Sequence, residues 1–190
     1  MKQNIKIPFV DLYSQNKELR AEIDLAIADI IDRSDFITGP TVEKFEKAIS
    51  DYTGAEDCAG LGSGTTALVC ALKALDIGPG DEVLTVGHTF VSTTEAIVNV
   101  GATPVFIDID EYYHFDINKM QLSDTLKAIL FVDLYGQTPD IDKINDFAKI
   151  WDLKVIEDAA QSFGSSYKGK KVGTLVDLTC FSFNPVKNLG

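Results

Sequence analysis

A run of small and hydroxyl-bearing residues, Gly62-Ser63-Gly64-Thr65-Thr66, lies between a predicted strand and a predicted helix. Backbone N–H groups at a helix start have no partners within the helix, and together with the helix dipole they attract anions. The run therefore indicates a phosphate site, although it matches neither a Walker A loop nor a GxGxxG motif. The alternative is a tight turn in which Ser63 caps the helix.

An acidic and an amide side chain follow a hydrophobic run in Glu157-Asp158-Ala159-Ala160-Gln161. Ligands of open α/β sheets bind at the carboxyl ends of the strands. Asp158 is therefore placed to pair with a protonated ring nitrogen, and Gln161 to contact a ring substituent. The same spacing also fits a helix capping box, with Asp158 at the N-cap and Gln161 three residues later. These residues alone leave both interpretations open.

A lysine, Lys187, lies in the short segment Asn184-Pro185-Val186-Lys187-Asn188 after another predicted strand. It is either a solvated surface charge or a nucleophilic amine. Ser182 precedes this segment on the strand, where alternation turns its side chain away from those of Phe181 and Phe183.

These three groups together are the parts that a pyridoxal phosphate (PLP) enzyme requires. The anion site holds the phosphate ester, the carboxylate keeps the pyridine nitrogen protonated, and the lysine condenses with the aldehyde. Phe90, after a predicted strand, can lie on the face of the ring or can be an ordinary core residue. We predict PLP as the cofactor and no metal site.

Short β-branched runs alternate with helical periodicity from about Cys58 onward. This alternation predicts βαβ crossovers and an α/β fold, in which helices cover both faces of a mostly parallel sheet. The predicted strands are 58–61, 82–86, 104–108, 128–133, 154–157 and 178–183, and the predicted helices between them are 64–75, 92–100, 117–125 and 140–151.

Two amphipathic helices are predicted before this unit, at 14–32 and from Pro40 onward. They need a surface to cover, either their own sheet or a partner subunit. We accordingly divide the chain into an N-terminal helical segment, residues 1–55, and a PLP-binding large domain, residues 56–190. The apolar stripe of the first helix consists of Leu19, Ile23, Ile27, Ile30 and Ile31.

The chain has 190 residues and a formal net charge of −12. This acidic balance argues against a nucleic-acid partner, because binding the phosphate backbone needs clustered Lys and Arg. No apolar run approaches the ~18 residues that a membrane-spanning helix requires, and the N-terminus lacks the apolar stretch of a signal peptide. Three cysteines without a CxxC pair predict reduced thiols, with Cys70 and Cys180 buried. We therefore expect a cytoplasmic protein.

Several short motifs follow one another along nearly the whole chain in an order typical of one family. They are Ile7-Pro8-Phe9-Val10-Asp11-Leu12, Thr38-Gly39-Pro40, Ser63-Gly64-Thr65, Gly78-Pro79-Gly80-Asp81-Glu82-Val83, Gly101-Ala102-Thr103-Pro104-Val105, Leu134-Tyr135-Gly136-Gln137, Glu157-Asp158-Ala159-Ala160-Gln161, and Phe181-Ser182-Phe183 with Lys187-Asn188-Leu189-Gly190. The sequence resembles the DegT/DnrJ/EryC1/StrS family of sugar aminotransferases. The resemblance implies the three-layer α/β/α large domain of the type I aspartate-aminotransferase fold, with a mostly parallel mixed sheet.

The resemblance also implies roles for individual residues. Lys187 would be the catalytic lysine that binds the cofactor and moves the proton. Asp158 would pair with the pyridine nitrogen, and Gln161 would contact the phenolic oxygen.

The phosphate and the ring face would be held by a second group of residues. By the same resemblance, Gly64 and Thr65 would hold the phosphate together with Ser182, and Phe90 would stack on the ring.

The resemblance implies transfer of an amino group from L-glutamate to a keto group of a dTDP- or UDP-linked deoxysugar. Such a reaction serves amino-sugar and polysaccharide biosynthesis, and the family generally works as a homodimer with active sites at the interface. Many family members carry His where this chain has Asp133, and the family continues well beyond Gly190. We therefore expect an incomplete large domain without its C-terminal small domain. The alternatives are a non-catalytic ligand-binding or regulatory protein of the same fold, or an inactive fragment.

Overall fold

A computed structural model of the protein describes residues 7–120 and 122–189. Within these residues, five α-helices and seven strands follow one another along the chain. The helices are α1 (Leu12–Arg33), α2 (Pro40–Thr53), α3 (Gly64–Ala74), α4 (Val91–Asn99) and α5 (Ile141–Trp151). The strands are β1 (Glu82–Val86), β2 (Thr103–Ile107), β3 (Leu126–Val132), β4 (Lys154–Asp158), β5 (Ser166–Tyr167), β6 (Lys170–Lys171) and β7 (Leu178–Cys180).

Five of these strands form one sheet in the order β2-β1-β3-β4-β7. Every neighbouring pair in this sheet is parallel, so the carboxyl ends of the strands lie at one edge. The chain moves outward from β1 in one direction to β2, and from β3 in the other direction to β4. The order therefore reverses between β1 and β3, which is the point where open α/β sheets bind ligands.

Apolar side chains cover both faces of the sheet, as the α/β prediction requires. Val83 and Leu130 pack with α3 and α4 on one face, whereas Leu84 and Ile129 pack with α5 on the other. Adjacent residues alternate between faces because successive side chains of a strand point in opposite directions. The three-layer α/β/α architecture is confirmed. Its five-stranded sheet is wholly parallel, and β5 and β6 form a separate antiparallel pair.

Two predicted elements are wrong within the described residues. Residues 58–61 form no strand, since the Gly60 N–H donates to the Glu46 carboxylate at 2.6 Å instead of to a neighbouring strand. The predicted helix 117–125 is only a 3₁₀ turn, Ile117–Lys119, because Met120 adopts an extended backbone that ends it. Gln121, within that prediction, lies outside the described residues. The predicted strand 178–183 stops at Cys180, where its partner β4 also ends.

The N-terminal helices differ in how they contact the rest of the chain. The Asp11 carboxylate caps α1 by accepting from the Ser14 N–H at 3.0 Å, and α1 contains no buried residue. Helix α2 begins at Pro40, as predicted, and buries Ile49 and Thr53. Of the helices in the described ranges, none combines the length and apolar character needed to cross a membrane.

The three cysteines are free thiols, but their burial only partly follows the prediction. Cys180 is buried and Cys58 is half-buried. Cys70 is exposed, so its predicted burial is wrong. Helix α3 turns the apolar residues Leu68, Ala71 and Leu72 to the core, and Cys70 lies on the other side.

Candidate active site

Asp158 ends strand β4 at the ligand-binding edge and is 6% exposed. The Thr93 hydroxyl, from α4, donates to Asp158 Oδ2 at 2.8 Å. The Ala160 N–H donates to Oδ1 at 3.3 Å, which makes a local turn. Between β4 and β5 the described residues contain no helix. The capping-box interpretation is therefore wrong, and the carboxylate is held at the strand end by α4 and its own turn.

Burial raises the pKa of Asp158 above its usual value. The Thr93 hydroxyl, the Ala160 N–H and the positive charge of Lys187 oppose this rise. A buried carboxylate is stabilised in its charged form by an opposite charge nearby. The position is therefore suited to a cationic ligand group, and Lys187 lies close enough for its charge to act on the same carboxylate.

Gln161 follows in the same turn and is held by a neighbouring loop. Its Oε1 accepts a hydrogen bond from the Tyr135 N–H at 2.9 Å. Tyr135 has φ of 60°, the left-handed region that non-glycine residues seldom adopt. This backbone turn points the Tyr135 N–H at the side chain of Gln161. Because Oε1 of Gln161 is already engaged, Nε2 is the atom that can donate to a ligand.

The start of α3 lies against the segment that follows β7. A Cβ added at Gly64 would meet Ser182 Cβ at 3.0 Å and Ser182 Oγ at 3.3 Å, so the glycine permits a close approach. The Thr65 hydroxyl donates to Ser92 Oγ at 2.8 Å. The structure thus brings Ser182 against Gly64, which precedes Thr65 directly and is far from Ser182 in sequence.

Ser63 acts as the N-cap of α3, as its alternative interpretation predicts. Its Oγ accepts from the Thr66 N–H at 3.1 Å. The cap engages one of the N–H groups of the first turn, while those of Gly64 and Thr65 precede the first intrahelical bonds. The cap and an anion site are therefore compatible.

The segment with Ser182 and Lys187 is anchored by aromatic packing. Phe183 meets Phe45 of α2 edge-on at 5.3 Å between ring centroids, and meets Phe163 at the same separation. The Lys187 N–H donates to the Asn184 carbonyl at 2.7 Å, which closes a turn and leaves the lysine half-buried. Helix α2 thus anchors the start of the segment that carries the lysine, a contact that the sequence pattern does not reveal because aromatic residues far apart in sequence show no spacing signal.

Phe90 lies directly before α4, with its side chain 65% exposed at the same edge. The core interpretation of Phe90 is therefore wrong. Its carbonyl accepts from the Thr93 N–H at 3.1 Å, which ties it to the residue that binds Asp158.

Three further rings gather at the switch between β1 and β3. The His88 ring stacks with Tyr113 at 5.4 Å, and Tyr113 meets Tyr135 edge-on at 5.8 Å. Tyr113, like Tyr135, has a positive φ, which sequence reasoning does not reveal for tyrosine. These residues form an exposed aromatic surface beside the site.

An open parallel α/β sheet with a converging set of polar groups at its switch point defines a ligand-binding α/β domain. The comparisons with known proteins identify its family. The model of the DegT/DnrJ/EryC1/StrS aminotransferase family matches residues 17–190, and the chain belongs to that family.

Relatives support the same assignment. A Pseudomonas aeruginosa protein described as UDP-2-acetamido-2-deoxy-3-oxo-D-glucuronate aminotransferase is 43% identical over 187 residues, 97% of this chain and 52% of the relative. The structure of S. venezuelae DesV in complex with a ketimine intermediate has a TM-score of 0.94 at 38% identity, covering 97% of this chain and 51% of DesV.

A second solved structure shows a bound cofactor. NtdA from Bacillus subtilis, with the cofactor PMP, has a TM-score of 0.89 at 34% identity, covering all of this chain and 44% of NtdA. The chain thus spans about half the length of the relatives it matches. The predicted site residues lie together at one edge, and their individual roles remain predictions.

Proposed function

We propose that the protein containing this chain is a PLP-dependent aminotransferase. It would transfer the amino group of L-glutamate to a keto group of a nucleotide-linked deoxysugar, in amino-sugar and polysaccharide biosynthesis. The observation that carries the proposal is the buried Asp158 carboxylate, with Lys187 close enough to act on its charge. Membership of an aminotransferase family and the aminotransferase relative support it.

The residues of the site fit PLP. The contact between Gly64 and Ser182 makes a cradle that an alanine Cβ would fill, as expected where backbone approaches a phosphate. The N–H groups of Gly64 and Thr65 and the Ser182 hydroxyl would hold the phosphate there. Asp158 would pair with the protonated pyridine nitrogen, since its own hydrogen bonds offset the burial cost only in part.

When bound, PLP supplies an electron sink for the bond that breaks at the amino acid α-carbon. Lys187 would hold the cofactor aldehyde, and its Nζ would take the proton from the α-carbon. Gln161 would donate to the phenolic oxygen, and Phe90 would cover the ring face and exclude water. The Thr93 hydroxyl would keep the Asp158 carboxylate oriented.

The exposed aromatic surface formed by His88, Tyr113 and Tyr135 supports a substrate with flat or cyclic groups, such as a sugar nucleotide. Aromatic faces stack on bases and on sugar rings. We place the keto sugar on this side of the site.

A second copy of the chain is the proposed partner. Helix α1 exposes four of the five residues of its predicted apolar stripe, leaves Ile30 half-buried, and buries no residue within the described chain. We therefore propose that residues 1–55 form a helical segment that a second subunit covers in a homodimer, and that residues 56–190 form the PLP-binding domain. The free thiols support a reducing compartment, and we propose the cytoplasm.

The test uses the full-length protein loaded with PLP. L-glutamate should bleach the cofactor absorbance and release 2-oxoglutarate, and a panel of keto sugar nucleotides should then restore the absorbance. Lys187→Ala should lower turnover by about 10²–10⁴-fold or more, since a positioned proton-transfer group contributes that much.

Lys170→Ala is the matched control, because this lysine is exposed on the β5–β6 pair and should leave turnover unchanged. Retained transamination by Lys187→Ala would refute the assignment of the lysine. PLP binding without release of 2-oxoglutarate would indicate a ligand-binding protein instead.

A further inference from the structure

Two carboxyl groups that the proposed reaction does not use lie buried next to the site. Asp133 follows the last residue of β3, and Glu157 lies in the adjacent strand β4. Both residues are 0% exposed. Burying a charge without a partner costs several kcal/mol per ion, so a pair of unpaired carboxylates would strongly destabilise the fold.

Each carboxyl group has one oxygen bound and one oxygen without a donor. The Ser162 hydroxyl donates to Asp133 Oδ2 at 2.7 Å, and the Thr179 hydroxyl donates to Glu157 Oε2 at 2.7 Å. Asp133 Oδ1 and Glu157 Oε1 are buried and find no donor among the described residues. Glu157 is in register with Phe131, and Asp133 lies two residues further along the same chain segment, so the two side chains share one face of the sheet. Each carboxyl group is close enough to act on the pKa of the other.

Two ionised carboxylates cannot form a hydrogen bond with each other, because an ionised carboxylate accepts hydrogen bonds but donates none. A proton held by one of the two carboxyl groups would turn that group into a donor for the other.

Among the described residues, none supplies the pair with a cation that could replace this proton. No ion pair among the described residues includes Asp133 or Glu157. Besides Glu157, the charged group that acts on Asp133 is the carboxylate of Asp158, which is also negative. On β7, burial raises the pKa of the Cys180 thiol to about 12, so Cys180 stays neutral.

Asp133 is the better place for the proton. The Thr179 hydroxyl and the Gly173 N–H both stabilise ionised Glu157, whereas Asp133 has only the Ser162 hydroxyl. Burial and the charge of Glu157 raise the pKa of Asp133 to about 9.

We propose that Asp133 and Glu157 share one proton at neutral pH and act as a positioning pair for the turn that carries Asp158 and Gln161. The Asp133 N–H donates to the Asp158 carbonyl at 3.1 Å, and its side chain holds Ser162 at the other end of the turn. Through Glu157 and Thr179 the pair also reaches β7, which leads to Lys187. The pair therefore connects three strand ends beneath the site.

Infrared difference spectroscopy of the full-length protein tests the shared proton. At pH 7 the wild type minus Asp133→Asn should show the carbonyl stretch of a protonated carboxyl, and the wild type minus Glu157→Gln should show the same band. Asp158→Asn is the control, because it should leave this band in place. The absence of the band from both differences would overturn the proposal.

The pH dependence of stability tests the same proton without using activity. An Asp that keeps its proton to about pH 9 when folded, but loses it near pH 4 when unfolded, makes stability fall as pH rises through that window. The thermal midpoint of Asp133→Asn should therefore fall less between pH 5 and pH 9 than that of the wild type. Parallel curves for the two proteins would contradict the proposal.

A comparison of two variants separates positioning from simple packing. Asn at position 133 can donate to Glu157 and accept from Ser162, whereas Ala can do neither. Asp133→Asn should keep the PLP absorbance spectrum and the affinity for PLP. Asp133→Ala should weaken PLP binding severalfold, because Asp158 and Gln161 lose their support. Equal PLP affinity in all three proteins would refute the positioning role, and Glu157→Gln repeats this test from the other side.

Discussion

The central sheet and helix α1 both carry apolar side chains but end in opposite environments. Strand β3 has six of its seven residues buried, between helices on both faces. Helix α1 has 22 residues and buries none, although it presents a stripe of isoleucines and leucine. The sheet is therefore covered by other described parts of this chain, whereas α1 is not, and we propose that a second subunit covers it.

The largest expected effect tests the sheet side of this comparison. Phe131 is fully buried in the middle of the sheet. Phe131→Ala should lower the free energy of unfolding by about 3–5 kcal/mol, since it removes a buried ring and leaves a cavity. Val98→Ala on the exposed side of α4 is the control, expected to change it by less than about 0.5 kcal/mol. Denaturant unfolding measures both, and equal effects would refute the described core.

The second prediction tests the α1 side. Ile27 is exposed in the single chain, and Ile27→Asp should weaken the homodimer while leaving the sheet folded. Each subunit would lose one buried apolar side chain, worth about 1.5–3 kcal/mol, and each loss would raise the dissociation constant by about 10–100-fold.

Asn16→Asp is the matched control for Ile27→Asp, because it adds the same charge at an exposed polar position of α1. Sedimentation of the full-length proteins at several concentrations measures the effect. An unchanged dimer with Ile27→Asp would show that another part of the protein covers α1.

The third prediction concerns the candidate active site, which belongs with the covered sheet and not with the exposed helix α1. Gly64→Ala should weaken PLP binding and lower stability by about 1–3 kcal/mol, as expected for overpacking, because the new Cβ would contact Ser182 at 3.0 Å. Gly62→Ala is the control, since nothing lies within 4 Å of its added Cβ. PLP titration and thermal unfolding should separate the two variants, and identical behaviour would argue against a tight cradle.

The sequence pattern predicts an element well where local periodicity and tertiary environment agree. Strand β1 is found at the predicted residues 82–86, and α5 begins one residue after its predicted start. Residues 58–61 had the right composition for a strand but no neighbouring strand to pair with. In 117–125 the Asp116 side chain accepts from the Asn118 N–H and favours a single turn over a helix.

The site was predictable only in its separate parts. Family motifs singled out Asp158, Gln161 and Lys187, and the sheet topology explains why they meet. The left-handed backbone at Tyr135, which holds Gln161, has no signal in residue type. The pairing of Asp133 with Glu157 depends on strand register, which a single sequence does not reveal.

Borohydride reduction of the PLP-loaded, full-length protein tests the proposed chemistry most directly. Reduction should fix the cofactor covalently, and peptide mass spectrometry should find the added pyridoxyl phosphate mass on Lys187. The same treatment of Lys187→Ala should leave no such mass at that position. An unmodified Lys187 in the loaded wild type, or the added mass on a different lysine, would contradict the account.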